Sequence, residues 1–482
     1  MKKHESILLT VILTTLSICN IIAQEKSMQL DSLFSFYNEH GSFSGVVLAA
    51  ENGKMNYLKA FGFSDFEKKK VLDTSAVFNI ASTTKPFTAL AIMMLKEQKK
   101  LSYEDKLVKF LHDLPSYAKN ITIKHLLTHT SGIKDYENEL HLRRENPILT
   151  TKIVYDSLIH QQNLNFNPGE KYSYSNSGYF LLALIIEKIS GVSYKEFIEK
   201  NIFHPIGMSH SYVLKETTKA IPNRVNAFTD YWQKNEDDLN CKVPGDGNIY
   251  TTAMDLFRFE RSLYNNTLVP PKSLRVAYDT TDLKPGKKGV KYGFGWMIES
   301  DNSGTIVYHP GGQGGFRCFL WRNLDTKSTL IVLSNNTFLA DCANMLSAAQ
   351  KIMKGQPYTL GKIPITELFY EKYSVKGFNA ALKAIRAEKK EQNSIYIFPE
   401  LLINNLGLEF LIFKNEPYSA IELFKLNVQI YPESWNAWDS LGEAYLSVSD
   451  NKSAIAAFEK SFGLNPGNKN SEEKLKQLRE NK

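Results

Sequence analysis

The sequence predicts an α+β domain, in which helices flank an antiparallel sheet and form an all-helical insert, followed by an all-α region. Strand-like runs near residue 45 and beyond residue 290 enclose a long stretch with helical periodicity. Strands, then many helices, then sequential strands are typical of an α+β domain with an antiparallel sheet. Beyond residue 363 the patterns are helical, which predicts the second region.

The composition is that of a globular protein. The chain has 482 residues, of which 43% are hydrophobic and 23% charged, and its formal net charge is +7. This length suggests two or three domains of about 150 residues each. The positive charge is spread along the chain without a dense basic run, so no nucleic-acid partner is expected.

Residues 1–23 have the features of an export signal. A pair of lysines precedes an apolar run from Ile7 to Ile22, and Ala23 is a suitable cleavage position. We therefore expect an exported protein, periplasmic or secreted. A lipid on Cys19 and a retained signal are the alternatives, and membrane contact is expected only with one of them.

The first domain is predicted to span residues 30–353. A helix is followed by a hairpin, in which Gly45–Ala50 and Lys54–Phe61 flank an Asn-Gly pair that suits a tight turn. Three helices follow in the pattern, and Gly191 is a natural stop for the last: Ser82–Lys99, Ile153–Gln162 and Asn176–Ile189. The sequence then predicts four strands: Tyr292–Ile298, Thr305–Tyr308, Phe316–Arg322 and Thr329–Ser334. A helix over Ala340–Met353 closes the domain.

Residues 354–363 are predicted to be a linker, and residues 364–482 a helical region with an internal period. Three residues are each followed, 34 positions later, by a residue of the same type: Ala420, Phe424 and Pro432. The second unit also contains W-x₂-L-G-x₂-Y, from Trp438 to Tyr445. This pattern resembles the tetratricopeptide repeat, in which small residues let two antiparallel helices touch. The resemblance implies a surface that could bind a peptide or protein partner.

The pattern Ser-x-x-Lys occurs four times, beginning at Ser82, Ser116, Ser131 and Ser471. Only Ser82-Thr-Thr-Lys85 stands directly before a strongly apolar helical run. There, backbone N–H groups surround the serine, and Lys85, one turn on, points to the same side. Taken alone, the motif would equally describe an N-cap serine and a surface lysine.

Two further motifs accompany it. Tyr174-Ser175-Asn176 lies at the start of an apolar helix, and His309-Pro310-Gly311-Gly312 ends a predicted strand. Together the three motifs resemble S-x-x-K, Y-x-N and K/H-x-G of the penicillin-recognising serine hydrolases, the serine beta-lactamase-like family. The closest resemblance is to the branch with class C beta-lactamases, D-stereospecific peptidases and esterases. It covers residues 30–353.

The resemblance implies a beta-lactamase/transpeptidase-like fold and an acyl-enzyme on Ser82. It favours Tyr174 as the base for attack and the acid for the leaving group, with Lys85 as its electrostatic partner. Residue chemistry alone leaves either Lys85 or Tyr174 as the base. Asn176 would orient Lys85 and bind the substrate amide. The N–H groups of Ser82 and Gly312 would form the oxyanion hole, each lowering the barrier by about 3 kcal/mol.

The third motif departs from the lactamase pattern. His309, Gly311 and Gly312 are assigned to substrate binding and the oxyanion hole, but His309 replaces the usual lysine. With an ordinary pKa of about 6.5, a histidine is mostly neutral at pH 7. Pro310 also removes a hydroxyl that normally binds the substrate carboxylate. Both changes argue against efficient hydrolysis of penicillins.

No metal or cofactor is expected. His125 and His129 have a spacing that can hold zinc on a helix, but no third ligand is identifiable. The favoured function is an exported serine hydrolase that cleaves an ester or amide of a small acyl or D-amino-acid-type substrate. The alternatives are a beta-lactamase or D,D-carboxypeptidase, and an inactive scaffold that binds a protein partner through its repeats.

Overall fold

The computed structural model describes residues 23–66, 68–215, 218, 220–228, 234–235, 237–279, 284–286, 289–336 and 343–480. The predicted signal, apart from Ala23, lies outside the described residues, and so does the possible lipidation site Cys19. The chain divides into two compact units. The first comprises the residues up to Asn38 together with Phe43–Leu360, and the second comprises Glu39–Ser42 and Gly361–Lys482. The boundary at Leu360 falls inside the stretch predicted to be a linker.

The first unit is an α+β fold. Its strands, in chain order, are β1 (Gly45–Glu51), β2 (Lys54–Phe61), β3 (Phe63–Asp65), β4 (Lys70–Val71), β5 (Phe78–Asn79), β6 (Tyr212–Val213), β7 (Ala227–Phe228), β8 (Lys234–Asn235), β9 (Ile249–Thr251), β10 (Lys291–Tyr292), β11 (Met297–Asp301), β12 (Gly304–Gln313), β13 (Phe316–Asn323) and β14 (Ser328–Ser334). Its helices are α1 (residues 23–39), α2 (Lys85–Glu97), α3 (Ile123–Leu127), α4 (Leu142–Glu145), α5 (Thr151–Ile159), α6 (Asn176–Ser190), α7 (Tyr194–Ile198), α8 (His204–Ile206), α9 (Asp237–Asn240), α10 (Ala253–Ser262), α11 (Pro271–Tyr278) and α12 (Ala343–Met353).

One antiparallel sheet joins the two ends of this unit. Its strand order is β10-β11-β12-β13-β14-β1-β2, so the N-terminal hairpin continues the sheet formed by the last strands. The hairpin turns at Asn52 and Gly53, which both take positive φ values, as a tight Asn-Gly turn requires. Helices α2 to α11 are inserted between β2 and β10, and α2 and α6 are buried along almost their whole length. The predicted antiparallel sheet with a helical insert is confirmed.

Two predicted strands have the wrong boundaries. Tyr292–Ile298 is not one strand, because β10 ends at Tyr292 and β11 begins only at Met297. Gly295 between them has φ +82°, and the N–H of Gly293 donates to the carbonyl of Trp296 at 2.8 Å, so the chain turns there.

The second error concerns the third motif, which lies inside β12 and not after its end. The strand continues from the predicted limit, Tyr308, to Gln313. Strand β11 pairs with β12 only as far as Tyr308, so in the described residues no strand covers that edge beyond it. Pro310, which has no N–H to donate, is tolerated at such an edge.

Helix boundaries also differ in detail. A 3₁₀ turn, Ala81–Thr84, precedes α2, so Ser82 lies just before the α-helix and not in its first turn. Helix α3 ends at Leu127, which places His129 beyond it with φ +55°. The predicted stop of α6 at Gly191 is confirmed, since this glycine has φ +75° and caps the helix.

The second unit is helical apart from two short parallel strands, β15 (Ile363–Pro364) and β16 (Tyr396–Ile397). Its helices are α13 (Ile365–Glu388), which is interrupted by a kink at Gly377, α14 (Glu400–Leu408), α15 (Pro417–Ile430), α16 (Trp435–Ser447), α17 (Asn451–Leu464) and α18 (Lys469–Glu480). Two helix pairs make the same close contact. A side-chain carbon on Gly407 would lie 2.5 Å from the ring of Phe424, and one on Gly442 would lie 2.7 Å from that of Phe458. A glycine against a phenylalanine therefore recurs at nearly the predicted period.

Candidate active site

A cleft of about 940 Å³ opens along the uncovered edge of β12. Five of the residues predicted from the sequence line it: Ser82, Tyr174, His309, Gly311 and Gly312. The other two, Lys85 and Asn176, lie buried directly behind Ser82. The structure thus brings together all seven predicted site residues, which come from three separate parts of the chain.

The 3₁₀ turn that carries Ser82 is fixed against β9 and β12. The N–H of Ile80 donates to the carbonyl of Ile249 at 3.0 Å, and Thr83 Oγ1 donates to the carbonyl of His309 at 3.2 Å. A side-chain carbon on Gly311 would lie 2.2 Å from the carbonyl oxygen of Ile80, so only glycine allows this approach. Ala81, just before Ser82, has φ +45°, a strained conformation of the kind found at functional sites.

Lys85 is fully buried and makes three hydrogen bonds. Its Nζ lies 3.1 Å from Ser82 Oγ, 2.8 Å from Asn176 Oδ1 and 3.0 Å from the carbonyl oxygen of Asp246. Burial lowers the pKa of Lys85 to about 8, although the carboxylate of Asp246 acts in the opposite direction. A lysine with this pKa is partly neutral near pH 7, and its neutral form can accept the proton of Ser82.

Asn176 is positioned by two acidic residues that no sequence pattern predicted. Its backbone N–H donates to the buried carboxylate of Asp135, and its Nδ2 donates to Glu137 Oε2 at 3.2 Å. Because Nδ2 is engaged in this way, Oδ1 of Asn176 faces Lys85. Both acidic residues lie in the loop that follows α3, which has neither helical nor strand periodicity to predict it.

Asp246 is the third acidic residue near Lys85. Tyr136 donates a hydrogen bond to its Oδ2, whereas its buried Oδ1 has no hydrogen-bond partner among the described residues. Burial raises the pKa of Asp246, and the positive charge of Lys85 opposes this rise. We call the polar group behind Ser82, which is buried except for the partly exposed Glu137, the charged wall: Lys85, Asp135, Glu137, Asn176 and Asp246.

Tyr174 lies between this wall and the cleft. Lys85 Nζ is 4.9 Å from the centre of its ring. Desolvation raises the pKa of Tyr174, and a hydrogen bond with Ser82 opposes the rise only in part. The phenol is therefore protonated near neutral pH, in a form that can donate a proton but not accept one.

The aromatic residues around Tyr174 carry no charge. Tyr292 donates to Nε2 of His309 at 2.9 Å, and Nδ1 of His309 donates to the carbonyl of Pro310 at 2.6 Å, which fixes the neutral tautomer. Burial lowers the pKa of His309 to about 3, so the ring stays neutral at physiological pH, as the ordinary pKa of histidine led us to expect.

His129 extends this aromatic group. Its Nδ1 accepts from the N–H of Ser175 at 3.1 Å, and its ring centre lies 4.3 Å from those of both Tyr174 and Tyr292. Its buried Nε2 has no hydrogen-bond partner in the described part of the chain, and burial lowers its pKa. We call this group the aromatic wall: His129, Tyr172, Tyr174, Tyr292 and His309.

The two histidines at zinc-ligand spacing serve different local structures. His125 Nδ1 accepts from the N–H of Thr122 in a capping box at the start of α3, whereas His129 bonds to Ser175. In the described ranges, no group of three or more His, Cys, Asp or Glu residues is arranged to hold a metal ion. Likewise, no helix in these ranges has both the length and the apolar character needed to cross a membrane.

Comparisons with known proteins agree with this geometry. Residues 30–350 match the family model described as Beta-lactamase. The chain is 36% identical over 361 residues to penicillin-binding protein 4* of Bacillus subtilis, an alignment that covers 71% of this chain and 79% of that protein. It is similar to the octameric penicillin-binding protein homologue from Pyrococcus abyssi, with 26% identity and a TM-score of 0.61, over 68% of this chain and 77% of that one. The D-amino acid amidase from Ochrobactrum anthropi has the same fold, with 19% identity and a TM-score of 0.59, over 69% and 99% of the two chains.

Proposed function

The chain belongs to the Beta-lactamase family of serine hydrolases, and from this premise we propose that it is an exported enzyme that forms an acyl-enzyme on Ser82. Its proposed substrate is an ester or amide of a small acyl group or of a D-amino-acid-type compound. The observation that carries the proposal is the hydrogen bond between Ser82 Oγ and a buried lysine whose pKa is lowered to about 8. Serine becomes a nucleophile only when a neighbour removes its proton.

In the proposed reaction, Ser82 Oγ attacks the substrate carbonyl while its proton passes to neutral Lys85. The directions of the two pKa shifts favour Lys85 over Tyr174 as the base, since burial lowers the first pKa and raises the second. The developing oxyanion would bind between the backbone N–H groups of Ser82 and Gly312. The close contact of Gly311 with the Ser82 turn supports this pairing, because it holds β12 against the nucleophile.

Protonated Tyr174 would then donate its proton to the leaving alcohol or amine, which departs and leaves the acyl group on Ser82. Lys85 would return the proton it accepted to Tyr174. Water subsequently attacks the ester, releasing the acid and restoring the Ser82 hydroxyl. Asn176, held by Asp135 and Glu137, would keep Lys85 aimed at Ser82 throughout and bind the substrate amide.

His309 supports an ester or amide over a penicillin as the main substrate. A buried, neutral imidazole with both ring nitrogens bonded offers no fixed positive charge to a substrate carboxylate. The second candidate is a beta-lactamase or D,D-carboxypeptidase. It is supported by the 36% identity to a protein whose name describes penicillin binding. Both candidates use the same acyl-enzyme.

The decisive experiment compares the wild type with Ser82→Ala on a short-chain p-nitrophenyl ester, a D-Ala-D-Ala peptide and a chromogenic cephalosporin. Ser116→Ala is the matched control, because Ser116 begins another Ser-x-x-Lys pattern but lies exposed on a 3₁₀ turn, Ser116–Asn120. We expect Ser82→Ala to lose ester turnover by about 10³-fold or more and Ser116→Ala to retain it.

Turnover by Ser82→Ala at the wild-type rate would refute the acyl-enzyme. Cephalosporin hydrolysis faster than ester hydrolysis would instead favour the beta-lactamase candidate. If no substrate is turned over and intact mass shows no adduct on Ser82, the protein is a binding scaffold, the remaining candidate.

For the second unit we propose tetratricopeptide-type helix pairs that bind a peptide or protein partner. The support is the glycine–phenylalanine contact that recurs in α14–α15 and α16–α17. Export, to the periplasm or to the medium, rests on the sequence of residues 1–23. Mass spectrometry of the mature protein tests it: an N-terminus at Gln24 supports simple cleavage, and a lipid on Cys19 supports the lipoprotein.

A further inference from the structure

A shallow depression of about 460 Å³ adjoins the active-site cleft at the far end of β12. Gly312 and Arg317 line both hollows, so a substrate held at Ser82 could extend from one into the other. The remaining lining residues are Glu137, Arg143, Gln313 and Gly314. The lining thus contains two arginines and one glutamate.

Arg317 is held next to the proposed oxyanion hole. It pairs with Gly312 across β12 and β13, and a side-chain carbon on Gly312 would lie 3.5 Å from its Nε and Nη1. Its Nη1 donates to the carbonyls of Gly314 and Phe316, at 3.1 Å and 2.8 Å. The guanidinium is thus fixed before a ligand arrives, which reduces the entropy lost on binding.

The depression lies on the Asn176 side of the site. Arg143 Nη1 is 3.0 Å from Glu137 Oε1, and the other oxygen of Glu137 accepts from Asn176. The leaving group, in contrast, must lie near Tyr174, its proposed proton donor. A group in the depression therefore belongs to the acyl half of the substrate, the half that stays on Ser82.

The geometry points to a carboxylate-binding subsite: we propose that the acyl half of the substrate carries a carboxylate at its far end, bound by Arg317. Planar guanidinium groups bind carboxylates through two parallel hydrogen bonds. Arg143, which also lines the depression, would add positive potential, and the negative charge of its ion-pair partner Glu137 would reduce this contribution. This inference rests on the proposed function, because it assigns one half of the substrate of that reaction.

The test uses a matched pair of esters: the mono-p-nitrophenyl ester of suberic acid, which has a free carboxylate, and its neutral methyl ester. The measured quantity is the ratio of kcat/KM for the anionic ester to that for the neutral one. We expect a wild-type ratio of about ten or more, falling toward one in Arg317→Gln and as sodium chloride is raised. Lys291→Gln is the control, because Lys291 also lines the cleft but not the depression, and we expect it to keep the ratio within about twofold.

A second variant distinguishes loss of the subsite from a folding defect. Arg317→Glu should reverse the selectivity and favour an ester with a terminal trimethylammonium group over the carboxylate ester. A wild-type ratio near one, or a ratio that neither salt nor Arg317→Gln lowers, overturns the subsite while leaving the acyl-enzyme intact. Absence of turnover of either ester by the wild type would instead refute the proposed function.

Discussion

The charged wall behind Ser82 and the aromatic wall beside it are both largely buried, but they differ in whether they hold acidic groups. The charged wall surrounds Lys85 with acidic residues, and the charges of Asp246, Asp135 and Glu137 all act to raise its pKa. The aromatic wall has no carboxylate among its own residues, and burial leaves His129 and His309 neutral. Desolvation acts on both walls, but only one of them compensates it with nearby opposite charge.

This difference indicates where the chemistry lies. A group that changes protonation during the reaction needs a pKa near the working pH, and Lys85 has been brought close to that range. Burial lowers the pKa of His309 far below the working pH. We therefore assign the removal of the Ser82 proton to the charged wall, whereas the aromatic wall contributes the proton donor Tyr174 and the shape of the substrate site.

The largest effect expected from this contrast is the loss of Lys85. Lys85→Met keeps an unbranched side chain of similar length but removes the base, so kcat should fall by about 10³-fold or more. The matched change on the aromatic wall is Tyr292→Phe, which removes one hydrogen bond to His309 and should lower kcat by less than about tenfold. Steady-state kinetics on the p-nitrophenyl ester measures both variants.

Equal losses in the two variants would contradict this comparison, since the removal of the Ser82 proton could then not be assigned to the charged wall. Circular dichroism on both proteins checks that the losses do not come from unfolding.

The sequence predicted the residues whose signals are local. The Ser82–Lys85 motif, the apolar helix that begins at Asn176 and the glycine that ends it all follow from short patterns. The structure has this helix and its glycine stop where they were predicted, and it places Ser82 on the turn just before α2. The antiparallel sheet was also predictable, because its last strands follow one another along the chain.

Contacts between distant segments could not be predicted. Asp135 and Glu137 bond to Asn176 across about 40 residues of chain, and the loop that holds them has no periodicity. The extension of β12 past Tyr308 was missed because Pro310 and two glycines are poor strand formers, and only the uncovered edge makes them acceptable.

The second prediction concerns stability in acid, which the buried neutral His309 of the aromatic wall should lower. His309 has a pKa of about 3 in the folded protein, against an ordinary value near 6.5, so between these values only the unfolded chain takes up the proton. Stability contributed by the neutral ring is therefore lost as the pH falls from 6.5 toward 3. His309→Gln cannot take up this proton. Between pH 7 and pH 5 its unfolding free energy should therefore fall by about 2 kcal/mol less than that of the wild type.

Urea unfolding at the two pH values measures this difference. His112→Gln is the control, because His112 is exposed and should leave the pH dependence unchanged. An equal pH dependence in the wild type and His309→Gln would mean that the aromatic wall accommodates a charge after all.

The smallest effect is a shift in the pH dependence of catalysis, and it tests how the charged wall sets the pKa of Lys85. If neutral Lys85 is the base, kcat/KM should rise with pH through about 8; a phenolate base at Tyr174, whose pKa is raised, would place this rise above about 10. The carboxylate of Asp246 raises the pKa of Lys85, so Asp246→Asn should move the rise to lower pH, by up to about one unit. Asp156→Asn removes an equal charge from an exposed position on α5 and should leave the rise in place. A rise above pH 10 that neither variant moves would return the role of base to Tyr174 and leave Lys85 as its electrostatic partner.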